Sequence, residues 1–379
     1  MRIGRLRFAG IAFCILFGGA VVAHCQGLSV RRDGVLIHDG KPFRGIGVDY
    51  FDAFYRTVTN GKATSYEAGF KELRKRQIPF CRILCGGFWP SEQALYTQNR
   101  GEFFARLDAV VRSAERNRVG LILSMFWTPS TVPDLVGEPV SNWGNLNSKT
   151  IDYMRRYVRD VATRYRKSRA IWGWEFGNEY ALGADLPNAR DNRPPVVPTL
   201  GTPNSRSAND EWRYSDLHVA YLAFAKEIRR YDRTRMIESG DSVLRESAWH
   251  NRSERSWKLD TAEQQESLMA EINPDPIDVI SIHTYGNDGN RISAYQAWGK
   301  KVHKPLFVGE FGAETKDSNA KATFEKLLHA IEQMEQPFAA LWVYDLSGQA
   351  DTWTVTADGP RSWQLDEIQA ANLRLGIGH

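Results

Sequence analysis

The sequence predicts an α/β fold, a single (β/α)8 TIM barrel with an N-terminal β-hairpin and elongated loops after strands 4 and 5. Three observations predict it. Short apolar runs alternate with amphipathic stretches rich in Lys, Arg and Glu, the rhythm of parallel strands with helices outside. The alternation repeats eight times without interruption. The two longest connections directly follow strand candidates, at the end of such a barrel where loops build a site.

The chain has 379 residues, 42% apolar, 25% charged and 12% aromatic, which is enough apolar material for a large core and excludes a disordered or fibrous protein. Residues 1–25 read as a signal peptide: Arg2, Arg5 and Arg7 precede an uncharged run from Phe8 to Ala23. That run is shorter than the roughly 18 to 20 apolar residues of a spanning helix. Ala23-His24-Cys25 is a tolerable though poor cleavage site before Gln26. The expectation is a secreted or periplasmic protein with no membrane attachment in its mature form. A retained anchor is the alternative, as is lipidation of Cys25, which His24 opposes by standing where a small residue is wanted. The formal charge is +4, from 49 basic and 45 acidic residues; without the three leader arginines it is 46 minus 45, or +1. No basic footprint for nucleic acid is present.

Residues 26–379 then read as one domain. From Leu28 to Phe43, Asp33-Gly34 between apolar stretches signals a hairpin and Asp39-Gly40 a second turn. Strand candidates follow at Arg44 to Asp49, Phe80 to Cys85, Gly120 to Phe126, Ile171 to Asn178, Met236 to Ser239, Val279 to Thr284, Leu306 to Glu310 and Ala339 to Tyr344. Helical stretches fit at Ser65 to Arg76, Glu102 to Arg118, Lys149 to Arg166, Asn209 to Tyr231, Thr261 to Glu271, Arg291 to Val302 and Ser318 to Glu335, with a last one after Trp363. The long connections are Tyr180 to Ala208 and Gly240 to Asp260. Cys81 and Cys85, on one strand, have Cα atoms about 13 Å apart, beyond disulfide reach, so both are expected as free thiols facing the helices.

Two strand ends carry the chemistry. Ile171-Trp-Gly-Trp-Glu-Phe-Gly-Asn-Glu-Tyr180 is an apolar run closing on Asn178-Glu179, and Leu306-Phe-Val-Gly-Glu-Phe-Gly312 closes on Glu310. In an eight-stranded barrel the fourth and seventh strands face each other across the mouth. Two carboxyls about 5 to 5.5 Å apart are what retaining glycoside hydrolysis needs: one attacks the anomeric carbon, and the other protonates the leaving oxygen and then activates water.

On these residues the sequence resembles the retaining glycoside hydrolases of clan A, and within it family 5, the cellulase and mannanase family. The anchors are Gly45-Ile-Gly-Val-Asp-Tyr50, Arg82, Trp174-Glu-Phe-Gly-Asn-Glu179, His283-Thr-Tyr285, Glu310 and Trp342, in that order along the chain. The resemblance implies Glu179 as acid/base and Glu310 as nucleophile, with Asn178 holding the sugar 2-hydroxyl. It implies Arg82 and Tyr285 aimed at Glu310, where a cation and a hydroxyl donor favour the ionised form. Glu179, protonated when substrate arrives, is expected in drier surroundings with its carboxyl pushed up. His283 and Tyr285 project to one strand face, so one supports substrate while the other orients Glu310. Trp342 is expected as the aromatic floor under the sugar, and Trp89, Trp127, Trp143, Trp212, Trp249 and Trp257 near the same mouth.

Glu175, inside strand four, needs a partner, either Arg82 or, through a bulge, the helical layer. Strand three ends in Met125-Phe-Trp127 where cellulase-like members often carry a histidine; the tryptophan tilts the expectation toward a β-linked mannan, with glucan as the other candidate. Strand one ends in Asp49 where asparagine is commoner. The substrate is then a β-linked polysaccharide or oligosaccharide, and no metal or cofactor is expected, since no histidine or cysteine cluster has ligand spacing. A non-catalytic carbohydrate-binding barrel is the alternative, which the presence of both glutamates opposes. A serine esterase would want a Gly-x-Ser-x-Gly elbow, which does not occur.

Overall fold

The computed structural model describes residues 26–286 and 289–377. The signal-peptide reading, with Cys25, falls outside the described residues. Among those described, no helix is long and apolar enough to cross a membrane.

The chain opens with three short antiparallel strands, β1 (Leu28–Val30), β2 (Leu36–His38) and β3 (Lys41–Pro42). Asp33-Gly34 turns the first pair, in register Leu28 with His38 and Val30 with Leu36. Asp39 and Gly40, both at positive φ, turn the second. The expected hairpin is therefore a three-stranded meander, because the second turn is tight enough to pair Ile37 with Pro42.

Eight parallel strands follow: β4 (Gly45–Asp49), β5 (Phe80–Leu84), β6 (Gly120–Phe126), β7 (Ile171–Gly177), β8 (Met236–Glu238), β9 (Ile280–Thr284), β10 (Leu306–Phe311) and β11 (Phe338–Leu341). Each pairs with its neighbour in chain order, β8 with β9 excepted, and β11 returns to β4. Between β8 and β9 the ladder is reduced to the amides of Asp278 and Val279, both donating to the Ile237 carbonyl, and these close the barrel. The last strand stops at Leu341 rather than Tyr344: the Trp342 amide donates to Phe311 and that of Tyr344 to Asp49, drawing the chain across the mouth.

Alternation sorts the side chains. On β5, Cys81 and Ile83 join the layer between strands and helices, while Phe80, Arg82 and Leu84 point inward. Both cysteines are buried and free. The helices bury one stripe each. In Lys149–Tyr165, Ser148 caps the first turn by accepting from the Ile151 amide, and Ile151, Met154, Tyr157, Val158, Val161 and Tyr165 face the strands. The helix expected from Asn209 begins at Tyr214, because residues 208–210 form a separate single turn. A helix at Asp52–Thr59, directly after β4, has no counterpart in the sequence reading; eight residues give too short a period to stand out.

The two ends of the barrel differ in kind. At the amino end, Phe43, Phe80, Trp172, Phe307 and Phe338 pack with Leu28 and Leu36 of the meander into an aromatic plug. The Phe307 and Phe338 rings stack at 4.2 Å and Phe43 meets Trp172 edge-on at 5.4 Å. At the carboxyl end, the inward positions are Asp49, Arg82, Glu175, Glu238, His283 and Glu310, all buried.

Candidate active site

Local backbone geometry delivers the two glutamates. Beyond β7 the Asn178 amide donates to the Trp127 carbonyl at 3.2 Å and the Glu179 amide to the Gly240 carbonyl at 2.9 Å, so the ends of the third, fourth and fifth barrel strands are stitched together. Glu179 sits at φ 55, a left-handed turn that swings the chain into the short helix Tyr180–Gly183. Gly240 is required where it stands: its φ is +76, and a Cβ there would lie 1.9 Å from the Gly177 carbonyl. On β10 the pairing register slips between Val308 and Glu310, which turns Glu310 into the barrel, and a Cβ on the intervening Gly309 would lie 2.9 Å from His283 Nε2.

Arg82 is the hub. Its Nε and one terminal nitrogen donate to both oxygens of Glu175 at 2.6 and 2.8 Å. The same terminal nitrogen donates to Asn178 Oδ1 at 2.8 Å, and the other to Glu310 Oε1 at 2.9 Å and Asp49 Oδ1 at 3.1 Å. Its guanidinium also lies 4.4 Å from the centre of the Trp127 ring. Burial works against its charge, and Glu175, Asp49 and Glu310 outweigh that and hold it firmly protonated. Glu175 thus finds its partner inside the barrel. The bulge in β7 lies earlier, opposite Leu121 and Ile122, and does not send Glu175 outward.

Glu179, His283 and Glu310 bring one ligand atom each within 4.8 Å of one another. The His283 Nδ1 is 2.9 Å from Glu179 Oε1 and 3.6 Å from Glu310 Oε1. The Tyr285 hydroxyl donates to Glu310 Oε2. Burial and the charge of Glu310 push the Tyr285 hydroxyl well up, which keeps its proton in place to donate. Among the described residues this trio is also the group close enough to hold a metal ion. The metal-free chemistry expected above gives the same atoms to proton and glycosyl transfer.

Two expectations are corrected. Glu179 is not pushed up: burial acts in that direction, but the hydrogen bond and charge of His283 outweigh it and leave the carboxyl below its ordinary value. Its side chain is 30% exposed, wetter than a dry acid requires. Glu310, 5% exposed, is pushed up by burial despite His283, Arg82 and Tyr285. The imidazole of His283 is also enclosed and touches the two glutamates, so it has no open face for substrate.

The mouth is aromatic. Trp342 is half-buried, donates from Nε1 to Gln349 at 2.9 Å, and stacks on Trp127 with centroids 5.9 Å apart. Trp127 is mostly covered, by Trp342, Phe51 and Arg82, and shows one edge to a pocket of about 370 Å3 beside Glu179. Leu182, Leu186 and Trp212 line the same pocket. Trp143 is not at the mouth: it is fully buried, donating to the Pro129 carbonyl. Trp89 opens the helix Pro90–Gln93, Trp249 packs against His250, and Trp257 is 54% exposed. Phe51 and Trp353, the latter 4.9 Å from Tyr285, belong to this wall and have no counterpart in the sequence reading. Both lie in connections with no periodic pattern. Asp241, beyond β8, accepts from the Ala181 amide and the Tyr221 hydroxyl, and burial pushes its carboxyl up to about 6.

Comparison with known proteins decides the family. The family model described as cellulase (glycosyl hydrolase family 5) matches residues 36–347. The chain belongs to glycosyl hydrolase family 5. The family 5 assignment spans all eight barrel strands. A curated relative, the probable mannan endo-1,4-beta-mannosidase A of Aspergillus niger, is 25% identical over 235 residues. That match covers 58% of this chain and 53% of the relative, so the chain spans about half of that protein. Among solved structures, the endo-1,4-beta-mannanase of Rhizomucor miehei superposes with a TM-score of 0.67 at 16% identity, over 92% of this chain and 99% of that one. The exo-beta-1,4-mannosidase of Opitutaceae bacterium strain TAV5 gives 0.60 at 15% identity, over 92% and 63%. These two superpositions show the barrel fold.

Proposed function

We propose that the protein is a secreted, retaining β-glycoside hydrolase acting on a β-linked polysaccharide or oligosaccharide, mannan-like in preference to glucan. The observation that carries this reading is the placement of Glu179 and Glu310 oxygens within 4.8 Å at one barrel mouth, a separation suited to double displacement rather than to direct attack by water. Glu310 is the nucleophile: the two donors on it, Arg82 and Tyr285, both serve a carboxylate. Glu179 is the acid/base. A proton shared between its Oε1 and His283 Nδ1 at 2.9 Å is available to the leaving oxygen, and a sugar covering the exposed side of Glu179 adds burial that favours the protonated form. Asn178, its amide fixed by Arg82, meets the sugar beside the nucleophile, and Trp342 supplies the stacking floor.

The resting electrostatics alone lean the other way, since burial raises the Glu310 carboxyl while His283 holds that of Glu179 below its ordinary value. Two variants separate the readings. Glu310→Ala is expected to lose at least about a thousandfold in kcat on aryl β-mannosides. Glu179→Ala is expected to stay within about tenfold on aryl glycosides with good leaving groups, and to lose about 10^2 to 10^4 on unactivated oligosaccharides. The reverse pattern would exchange the roles. Binding of mannan without turnover by the unaltered protein would favour the carbohydrate-binding barrel instead. A mannan, glucan and xylan panel tests the substrate, and the anomer first formed tests retention.

A further inference from the structure

Four carboxyls point into the barrel around one guanidinium. Arg82 reaches Asp49, Glu175 and Glu310 and does not reach Glu238. Glu238 ends β8, directly in register with Glu175 on β7, and is fully buried. Neither of its oxygens has a hydrogen-bond donor. The groups facing it are the Glu175 carboxylate, the more distant Arg82, and the hydroxyl of Ser281 on β9, whose oxygen also lacks a partner. His283, two residues on from Ser281, brings its unpartnered Nε2 to the same side, where a Cβ on Gly309 would touch both. Glu310 and Asp49 complete the titratable groups of this interior, on the far side of Arg82.

Two carboxylates side by side, one of them already bound to a shared cation, leave an uncompensated charge in a dry interior, which is among the costliest arrangements a fold can hold. A proton removes that charge and supplies the missing donor. Among the described residues Glu238 belongs to no trio of metal-ligating atoms, so a proton rather than a cation fills this role.

We propose that Glu238 is a permanently neutral carboxylic acid, a positioning residue that donates its hydrogen to Glu175 and so leaves Arg82 free to hold Glu310 and Asn178. The consequence for Glu310 rests on the function proposed above. Burial first and then the neighbouring charge of Glu175 push the Glu238 carboxyl well upward, outweighing the Arg82 charge and the Ser281 hydroxyl that act the other way. No bond is made or broken; the hydrogen stays on Glu238 and bridges to a Glu175 oxygen. An ionised Glu238 would put a second negative charge beside Glu175 and draw the guanidinium away from Glu310.

Infrared difference spectroscopy on the full chain at about pH 7 tests the proton directly, the pH being far above any ordinary glutamate. The wild-type minus Glu238→Gln spectrum should contain the carbonyl band of a protonated carboxyl. Kinetics test the positioning. Glu238→Gln, which keeps a donor for Glu175, should stay within about threefold in kcat, whereas Glu238→Met, of similar length without a donor, should lose about tenfold in kcat with KM unchanged. An absent acid band, or equal losses in both variants, overturns the proposal. Should Glu238→Gln not fold, Glu310→Gln protein labelled with carboxyl-13C glutamate carries the test, and a glutamate carbon that stays at its protonated shift at about pH 7 with Glu310 removed is required. The spectroscopic arm reads the proton whether or not the protein hydrolyses a glycoside, so its failure is distinct from failure of the proposed function.

Discussion

Arg82 shows why residue identity matters here more than charge. A planar fork can serve Glu175 with two parallel bonds while its other edge reaches Glu310, Asp49 and Asn178; an ammonium cannot. Arg82→Lys is therefore expected to lose at least about a hundredfold in kcat and about 3 kcal/mol in stability, read by kinetics and urea unfolding, because it strands buried carboxylates while keeping the formal charge. The acid pair gives a second expectation. Glu310 must be ionised to attack, and its carboxyl is raised by burial, so activity falls as pH drops through that raised value. The acidic limb of kcat/KM should thus lie above the ordinary glutamate range, and Tyr285→Phe, which removes a donor to the carboxylate, should move it higher still. The sequence alone placed both glutamates at strand ends, yet it put their relative acidities the wrong way round. The cause is His283: strand alternation points it at the mouth, but its 2.9 Å approach to Glu179 depends on how β7 and β9 face each other.

At the scale of elements, the long connection after β7 is the part most built for a function. Arg206 crosses from it to Asp134 with two bonds of 2.6 and 2.7 Å, both side chains nearly closed to solvent, and also contacts the Pro194 and Pro195 carbonyls. Asp134 lies on the helix Thr131–Val136 that follows β6, so the loop is clamped beside the Glu179 pocket. Arg206→Ala should release it: faster proteolysis between residues 187 and 207, and a KM raised about tenfold with kcat little changed, since the clamp holds the loop that carries Leu186 and Asn192 to the pocket and does not itself meet the reacting atoms. The length and the Pro, Asn and Asp content of this segment marked it as a loop, but no local pattern announces that residues 206 and 134 meet.

For the whole molecule, the barrel is a nearly closed sheet with opposite chemistry at its ends. Aromatic rings fill the amino end under the meander, so the polar layer above them is shielded on one side and open only at the mouth. Stability and activity are accordingly separable. Phe43→Ala, which empties the centre of the plug, should cost about 3 to 5 kcal/mol in unfolding free energy while leaving kcat at low temperature nearly unchanged. A scanning thermal melt and an assay well below the transition check both halves.

What the sequence by itself determined is periodic or positional: eight apolar runs, the helices between them, the free cysteines, and the glutamates closing the fourth and seventh strands. These are legible because strand and helix periods are local, and because a barrel obliges strand ends to converge. Only the tertiary structure decided which carboxyls share a cation, that Trp143 belongs to the core while Phe51 and Trp353 belong to the mouth, and that Asp49 and Glu238 are buried with oxygens lacking partners. Those facts depend on distances between residues far apart in the chain, set by register slips and loop paths, and electrostatic free energy follows distance and burial rather than order along the chain.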